Sequence, residues 1–519
     1  MKLELINKSR HFNIYQICLI ALLLVGFWFL LTYNIGINLW DEGYLWDNSQ
    51  KTFEKAVPIR DFRSYDPGRY YWVAIFFYLF KPGLFSLQLL LAVLQFVGLF
   101  AGLLTINRVI KNFWGLLLSG VIIYFWMIPR YKIFEISLVL VALLTAVWMI
   151  EKHDRWRYFV AGLVVGTAAF YAKNFGFYFG LGYFTLILYL ETKLSWRIKL
   201  EKLGIWLGGI LTGYFPMILM FIFCQHFFSS FMDANFRVFS ENSIVKPLPI
   251  PWPWNFNFFS QTGNFLLGLG YVAMFLYFLA GVTIHIKYKQ YCHPLFTASV
   301  FIGLPVLGHA LTRSDFEHFT ISIYPFLIGL LAGYPFQIFT KWKMSLRWVN
   351  FFLLGVLCWC LYIFSSEIKL GLEKAKILIN SPSQLEKFEF QGGTVWLQRS
   401  TVRYLHDLET CYIDKLSNNE DFYVAPYEAG LYPIFQQRSP VWDAFPIHFE
   451  TVEKQIEQIN QLNEHHVHWA LISSTPLDGN PSYTFSITHP LIWDYLINNF
   501  KPVDCTGLHK DQILFHIKS

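Results

Sequence analysis

The sequence predicts a polytopic α-helical membrane protein with about eleven transmembrane helices and a small C-terminal extracytoplasmic α/β domain. Three observations carry this expectation. Of 519 residues, 55% are hydrophobic and only 15% are charged, against about 25% charged in a soluble domain. The aromatic load is heavy, with 53 Phe, 29 Tyr and 19 Trp, and the mean hydropathy is +0.39. The apolar residues also fall in blocks close to the ~20 residues that a helix needs to cross a bilayer. Together these exclude a disordered chain, a secreted disulfide scaffold and an ordinary cytosolic enzyme.

Taken in order, the apolar blocks are 14–36, 84–107, 114–128, 133–150, 157–172, 175–190, 203–224, 263–286, 295–311, 319–338 and 347–365. The first is too long for a cleavable signal and no small-x-small site follows it. Lys2, Lys8 and Arg10 precede it, which places the N-terminus in the cytoplasm by the positive-inside rule. Alternate connections then carry Arg108/Lys111, Lys152/Arg155/Arg157, Lys193/Arg197/Lys199/Lys202, Lys287/Lys289 and Lys341/Lys343/Arg347. This distribution accounts for most of the net charge of +6 without calling for a nucleic-acid partner. The opposite side receives a long first loop (37–83), short loops at 129–132, 171–174 and 312–318, a longer one at 225–262, and the C-terminal region. The chain thus divides into a transmembrane part, 1–365, and an extracytoplasmic part, 366–519.

The C-terminal part mixes strand-like runs, at 422–425, 469–472 and 512–515, with a helix-like stretch at 451–463, the pattern of a small α/β domain. Of the seven cysteines, Cys18, Cys224, Cys358 and Cys360 lie in or beside apolar blocks, where a thiol behaves as a small hydrophobe. Cys411 and Cys505 lie in the polar part, and an oxidising compartment would let them pair; the sequence leaves that pairing open. The stretch 246–259, Lys-Pro-Leu-Pro-Ile-Pro-Trp-Pro-Trp-Asn-Phe-Asn-Phe-Phe, has alternating prolines that favour an extended chain. It fits either a lipid entry or a segment lying on the bilayer.

Ionisable groups at the ends of spans are costly there and are functional candidates. Span one runs into Asn38-Leu39-Trp40-Asp41-Glu42-Gly43, two adjacent carboxylates where the helix leaves the bilayer. Pro58-Ile59-Arg60-Asp61-Phe62 and Asp66-Pro67-Gly68-Arg69-Tyr70-Tyr71 follow. For any one of these acids a solvated loop position is the simpler account. Their order and spacing in this loop resemble the first external loop of the GT-C superfamily, integral membrane glycosyltransferases that use polyprenyl-phosphate sugars. The nearest branch contains bacterial protein O-mannosyltransferases and the aminoarabinose transferase of lipid A. The motif match covers about residues 38–72, with weaker support near 308–325. Many relatives carry a Lys-Pro-Pro-Leu-like or Pro-Pro-Gly segment where this chain has Asp66-Pro67-Gly68, so no lysine ligand carries over.

The resemblance implies transfer of a sugar from a polyprenyl-phosphate donor to an extracytoplasmic glycan, lipid or protein acceptor, at the bacterial inner (plasma) membrane. Joining a sugar to a hydroxyl requires removing the acceptor proton, which is general-base work for a carboxylate. The family pattern assigns that work to Asp41. Glu42 points elsewhere on a helix and is expected to orient the acceptor or bind a divalent cation, and Asp61 is a second acid of the same loop. Arg60, Asp66, Arg69 and Tyr70 are the neighbouring candidates for shaping the loop and meeting the acceptor.

A lipid-phosphate leaving group needs preorganised cations. Gly308-His309-Ala310-Leu311-Thr312-Arg313-Ser314-Asp315-Phe316-Glu317-His318 supplies Arg313, suited to bidentate phosphate contact, and His318. Arg130, Lys132 and Lys173 lie in outer loops, where the positive-inside rule expects few cations. Each also has a bland reading: Arg313 as the ion-pair partner of Asp315, the loop cations as contacts to lipid headgroups. No Walker A segment, Gly-x-Gly-x-x-Gly or His-Glu-x-x-His occurs, so no nucleotide or zincin chemistry is suggested. Two alternatives remain: a transporter or flippase of lipid-linked sugars, which usually has polar groups near the membrane midplane, and a membrane glycan ligase, which needs a cationic site but not the acid pair.

Overall fold

The computed structural model describes residues 12–518 except 128, 192–194, 241–247, 289–291, 332–354, 356–358, 360–364, 380–382, 391 and 414–420. Outside the described residues lie Lys2, Lys8, Arg10, Lys193, Lys246, Lys289, Lys341, Lys343, Arg347, Cys358, Cys360 and nearly all of the expected span 347–365.

The helices up to residue 331 are α1 (Ile14–Thr32), α2 (Asp41–Phe53), α3 (Pro67–Phe80), α4 (Leu84–Ile106), α5 (Phe113–Trp126), α6 (Ile133–Glu151), α7 (Arg155–Tyr171), α8 (Lys173–Leu190), α9 (Trp196–Gly213), α10 (Phe215–Phe223), α11 (Phe227–Ser240), α12 (Thr262–Tyr288), α13 (Pro294–Thr312), α14 (Phe316–Ser322) and α15 (Tyr324–Leu331). Among the described residues, five segments are long and apolar enough to cross a membrane: α1, α4, Arg130–Glu151, α12 and α13. The pair α9–α10, bent by 55°, makes a sixth if it counts as one span. Its break falls beside Pro216, whose ring lacks the N–H that would continue the ladder. The apolar helix α5 has only 14 residues, short of the ~20 needed for a straight crossing. The protein is therefore an integral membrane protein, while the count of eleven spans stays an expectation.

Contacts divide the chain into two compact units. The first comprises Met1–Leu30, Leu91–Leu219 and Lys246–Ile368, the second Leu31–Leu90, Met220–Val245 and Lys369–Ser519. In the first unit α7 and α9 pack backbone against backbone. Gly162 and Gly166 on one helix face Gly209 and Gly213 on the other. A Cβ on Gly162 would sit 1.9 Å from the Trp206 carbonyl oxygen, and one on Gly209 would sit 2.1 Å from that of Phe159. Small residues four apart let helix backbones touch, which is how helices associate in lipid, where apolar burial gives no drive.

In the second unit residues 37–83 fold together with the C-terminal domain. That domain holds a hairpin of β1 (Leu385–Phe390) and β2 (Gly393–Gln398). It also holds a four-stranded sheet ordered β3-β4-β6-β5, from β3 (Phe422–Ala425), β4 (Trp469–Ser473), β5 (Phe500–Val503) and β6 (Gln512–Ile517). β3 and β4 run parallel, and the helix Val452–Glu464 between them supplies the crossover that parallel neighbours require. Every residue of β3 and β4 is buried, as expected for strands covered on both faces. Tyr423, Leu462, Ile472, Ile492, Leu496 and Phe515 are among the residues of the core. The expected runs 422–425, 469–472 and 512–515 are β3, β4 and β6. Cys411 and Cys505, 94 residues apart, form a disulfide, answering what the sequence left open.

Candidate functional site

The acid pair opens α2. Two carboxylates in the first turn suit the positive end of the helix dipole. The approach is a tight turn: the Asn38 side chain accepts from the Trp40 N–H at 2.8 Å, and the Gly43 N–H reaches the Asn38 carbonyl at 2.8 Å. From there the two acids differ. Glu42 is buried, 6% exposed; one oxygen accepts from the Asn38 N–H at 3.2 Å and the other from the Gln88 amide of α4. Asp41 is half-buried, and no group among the described residues hydrogen-bonds its carboxylate. One acid anchors the loop and the other stays available.

The remaining first-loop candidates separate in the same way. Asp61 is held by Arg60 through two bonds, Nε to Oδ1 at 2.7 Å and Nη2 to Oδ2 at 2.9 Å, and by the Val57 N–H at 2.7 Å. Partial burial pulls the Asp61 carboxyl upward, but the Arg60 bonds and the Val57 N–H outweigh it and hold the group below its usual range. Arg60 also donates to the Gln225 carbonyl at 3.1 Å. Asp66 precedes α3 as its N-cap, with Pro67 in the first turn, where its missing N–H is not needed. The Arg69 guanidinium lies 5.0 Å from the centre of the Tyr65 ring. The Tyr70 hydroxyl, fully buried, accepts from the Tyr65 N–H at 3.0 Å.

Sequence reasoning missed several partners in this unit. Gln88 is one of two glutamines, with Gln95, in the apolar helix α4, a signal that was there to be read. Asp47 and Lys51, one turn apart on α2, pair at 2.7 Å; burial raises the Asp47 carboxyl and Lys51 opposes that rise. Arg63 reaches Asp443 at 2.6 Å and Glu450 at 3.2 Å. These acids lie 380 and 387 positions away, beyond any spacing argument.

In the first unit, Asp315 caps α14 and gathers its neighbours. Its carboxylate accepts from the His318 N–H at 2.8 Å, meets the His318 ring at 2.7 Å and pairs with Arg313. Burial alone would raise the Asp315 carboxyl. The bonds and charge of His318 and the bond from Arg313 reverse this and hold it well below the carboxylate range. The ring of His309 lies 4.8 Å from that of His318. Arg130 and Lys132 flank Tyr131 in a single 3₁₀ turn, and the Tyr131 hydroxyl donates to Glu317. Lys173 is exposed at the start of α8. Arg313 and His318 are thus brought together around one carboxylate, and the turn holding Arg130 and Lys132 is joined through Tyr131 to the same helix. Among the described residues no three His, Cys, Asp or Glu side chains are grouped to hold a metal ion.

No family model matches the sequence and no curated protein is significantly similar to it. Solved structures are similar in fold. ArnT from Cupriavidus metallidurans in the apo state superimposes with a TM-score of 0.56 at 12% identity, covering 96% of this chain and 97% of that one. The same protein bound to undecaprenyl phosphate gives 0.52 at 12% identity, with 97% of each chain covered. The Archaeoglobus fulgidus oligosaccharyltransferase in its apo form gives 0.51 at 11% identity, covering 97% of this chain and 75% of that one. Over nearly its whole length, the chain has the fold seen in ArnT and in the archaeal oligosaccharyltransferase.

Proposed function

We propose that the protein transfers a sugar from a polyprenyl-phosphate donor to an extracytoplasmic acceptor hydroxyl by a single, inverting displacement. The observation that carries this reading is the asymmetry of the acid pair: Glu42 is buried with both oxygens engaged, while the Asp41 carboxylate has no partner among the described residues. A general base must be able to reach the proton it removes, and of the two acids Asp41 meets that requirement. Asp41 takes the acceptor proton as the acceptor oxygen bonds the anomeric carbon, and the bond from that carbon to the phosphate oxygen breaks. The departing polyprenyl phosphate carries the electron pair. Arg313 and His318, with Arg130, Lys132 and Lys173, offset that negative charge. Arg60, Asp61, Asp66, Arg69 and Tyr70 shape the loop that receives the acceptor. The ArnT structure bound to undecaprenyl phosphate supports a lipid phosphate as the donor.

The test compares the full-length wild type with Asp41→Asn in detergent. Donors are a panel of undecaprenyl-phosphate hexoses and pentoses, and envelopes from cells lacking the protein serve as acceptor. Loss of the base should lower transfer by a factor on the order of 100 to 10,000. Full activity in the variant overturns the assignment. Transport of a lipid-linked sugar across vesicles with no transfer would replace the reading by a flippase.

A further inference from the structure

We propose that the segment Tyr427–Gly430 of the C-terminal domain is a positioning element for Asp41, so that the external domain forms part of the catalytic site. This rests on the reading of Asp41 as the base. The evidence lies within the second unit. After α1 the chain reaches α2 through residues 33–40, and the C-terminal domain holds that stretch at both ends. At its start, the Trp396 N–H donates to the Asn34 carbonyl at 2.8 Å and the Gly36 N–H to the Trp396 carbonyl at 2.9 Å. Lys374 adds a bond to the Asn34 side chain at 2.9 Å. At its end, the Gly430 N–H donates to the Leu39 carbonyl at 2.9 Å.

The contact around the acids is closer still. The rings of Trp40 and Tyr427 stack with centroids 4.1 Å apart and planes 10° from parallel. A Cβ on Gly43 would sit 2.4 Å from the Gly430 nitrogen and 2.5 Å from its Cα, so two backbones touch where no side chain fits. The residues on either side of Asp41 and Glu42 are therefore both clamped by 427–430. The clamp is itself anchored. The Tyr427 hydroxyl donates to the Thr475 carbonyl at 3.1 Å. Glu428 has a φ of +66° and is held by the Tyr404 hydroxyl and by the Gln512 amide at 3.0 Å. With its backbone fixed on both sides, the Asp41 carboxylate has only its own two side-chain torsions to search.

Misplacing a reacting group by about 1 Å can cost a factor on the order of 100, which sets the effect to look for. Full-length Tyr427→Leu keeps apolar volume but loses the stack and the bond to Thr475, while Tyr427→Phe keeps the ring. Transfer is measured from the same undecaprenyl-phosphate sugars to the same envelopes, with hydrogen exchange followed at residues 38–44. Tyr427→Leu should lower kcat by a factor on the order of 100 with the donor KM unchanged, and should speed exchange at 38–44. Tyr427→Phe should stay near the wild type in both. Wild-type kcat in Tyr427→Leu, alongside an inactive Asp41→Asn, overturns the proposal and leaves the base intact. If Asp41→Asn is active, the base reading fails, and the exchange rates alone decide: unchanged rates in Tyr427→Leu refute the clamp. If Tyr427→Leu does not fold, Gly430→Ala replaces it. Its added Cβ meets Leu39 and Gly43 at 3.0 to 3.1 Å, and wild-type kcat there overturns the proposal.

Discussion

Replacing Glu428 by Gln should stabilise the C-terminal domain above neutral pH and change little in acid. Glu428 is 7% exposed, and burial pushes its carboxyl up to about 7 from 4.5, with Asp511 adding to the rise and the bonds from Tyr404 and Gln512 opposing it. Tyr412, also fully buried, faces the same charge, and the His509 ring lies against Tyr404. Because the folded-state value is the higher one, the native protein binds the proton more tightly than the unfolded chain. The contribution to stability is therefore complete below about pH 4.5 and is lost as the pH rises through 7. The gap corresponds to about 3 kcal/mol between pH 4.5 and 8.5. Glutamine resembles the protonated acid, and its carbonyl can accept the bonds from both Tyr404 and Gln512. Every other titrating group is common to both proteins and cancels in the comparison. Hydrogen exchange at β3 and β4 of the full-length protein, corrected for intrinsic rates, reads the difference. Parallel pH dependences in wild type and variant would refute the reasoning.

Replacing both Cys411 and Cys505 by Ser opens a loop of 94 residues and should cost the C-terminal domain about 2–4 kcal/mol, read by urea-dependent proteolysis of the full chain. Adding reductant to the wild type should reproduce the loss and leave the double variant unaffected. Gly166→Leu would place a side chain where a Cβ is already 2.1 Å from the Ile210 carbonyl oxygen. It should separate α7 from α9 and lower the melting temperature in detergent, whereas Gly204→Leu, which meets nothing within 4 Å, should not.

Much of this fold is legible in the sequence where local pattern and burial agree. The runs at 422–425, 469–472 and 512–515 read as strands because β-rich segments sit between turn residues, and 451–463 reads as a helix because one apolar stripe, including Leu462, faces the core. The first loop is different. Its 47 residues read as loop, yet they contain α2 and α3. The sequence of α2 shows no apolar stripe because Glu42 through Ser49 are buried without a break, so polar residues occupy inward positions and periodicity fails as a guide. Two candidate locations were legible, one at Asp41 and Glu42 and one around Arg313 to His318. The division of work inside the first was not. It depends on Gln88, 46 positions from Glu42, and on Gly430 and Tyr427, almost four hundred positions from the acids.

That division follows from helix geometry once the partners are known. Adjacent residues on a helix point about 100° apart, so two consecutive acids cannot both face α4. The one that does, Glu42, sits in a setting where an unmet carboxylate would be costly, and Asn38 and Gln88 satisfy it. An acid held in this way serves by fixing the start of α2, since its oxygens are already engaged by other donors. On the proposed reading, Asp41, turned away from that contact, keeps its oxygens available for an acceptor proton while sharing the backbone that Glu42, Gly43 and Trp40 hold in place. A lone acid at the end of the span could be accessible or firmly placed, but it would have no neighbour to separate the two demands. Two adjacent acids would meet both, one buried to hold the turn and the other serving as the proposed base.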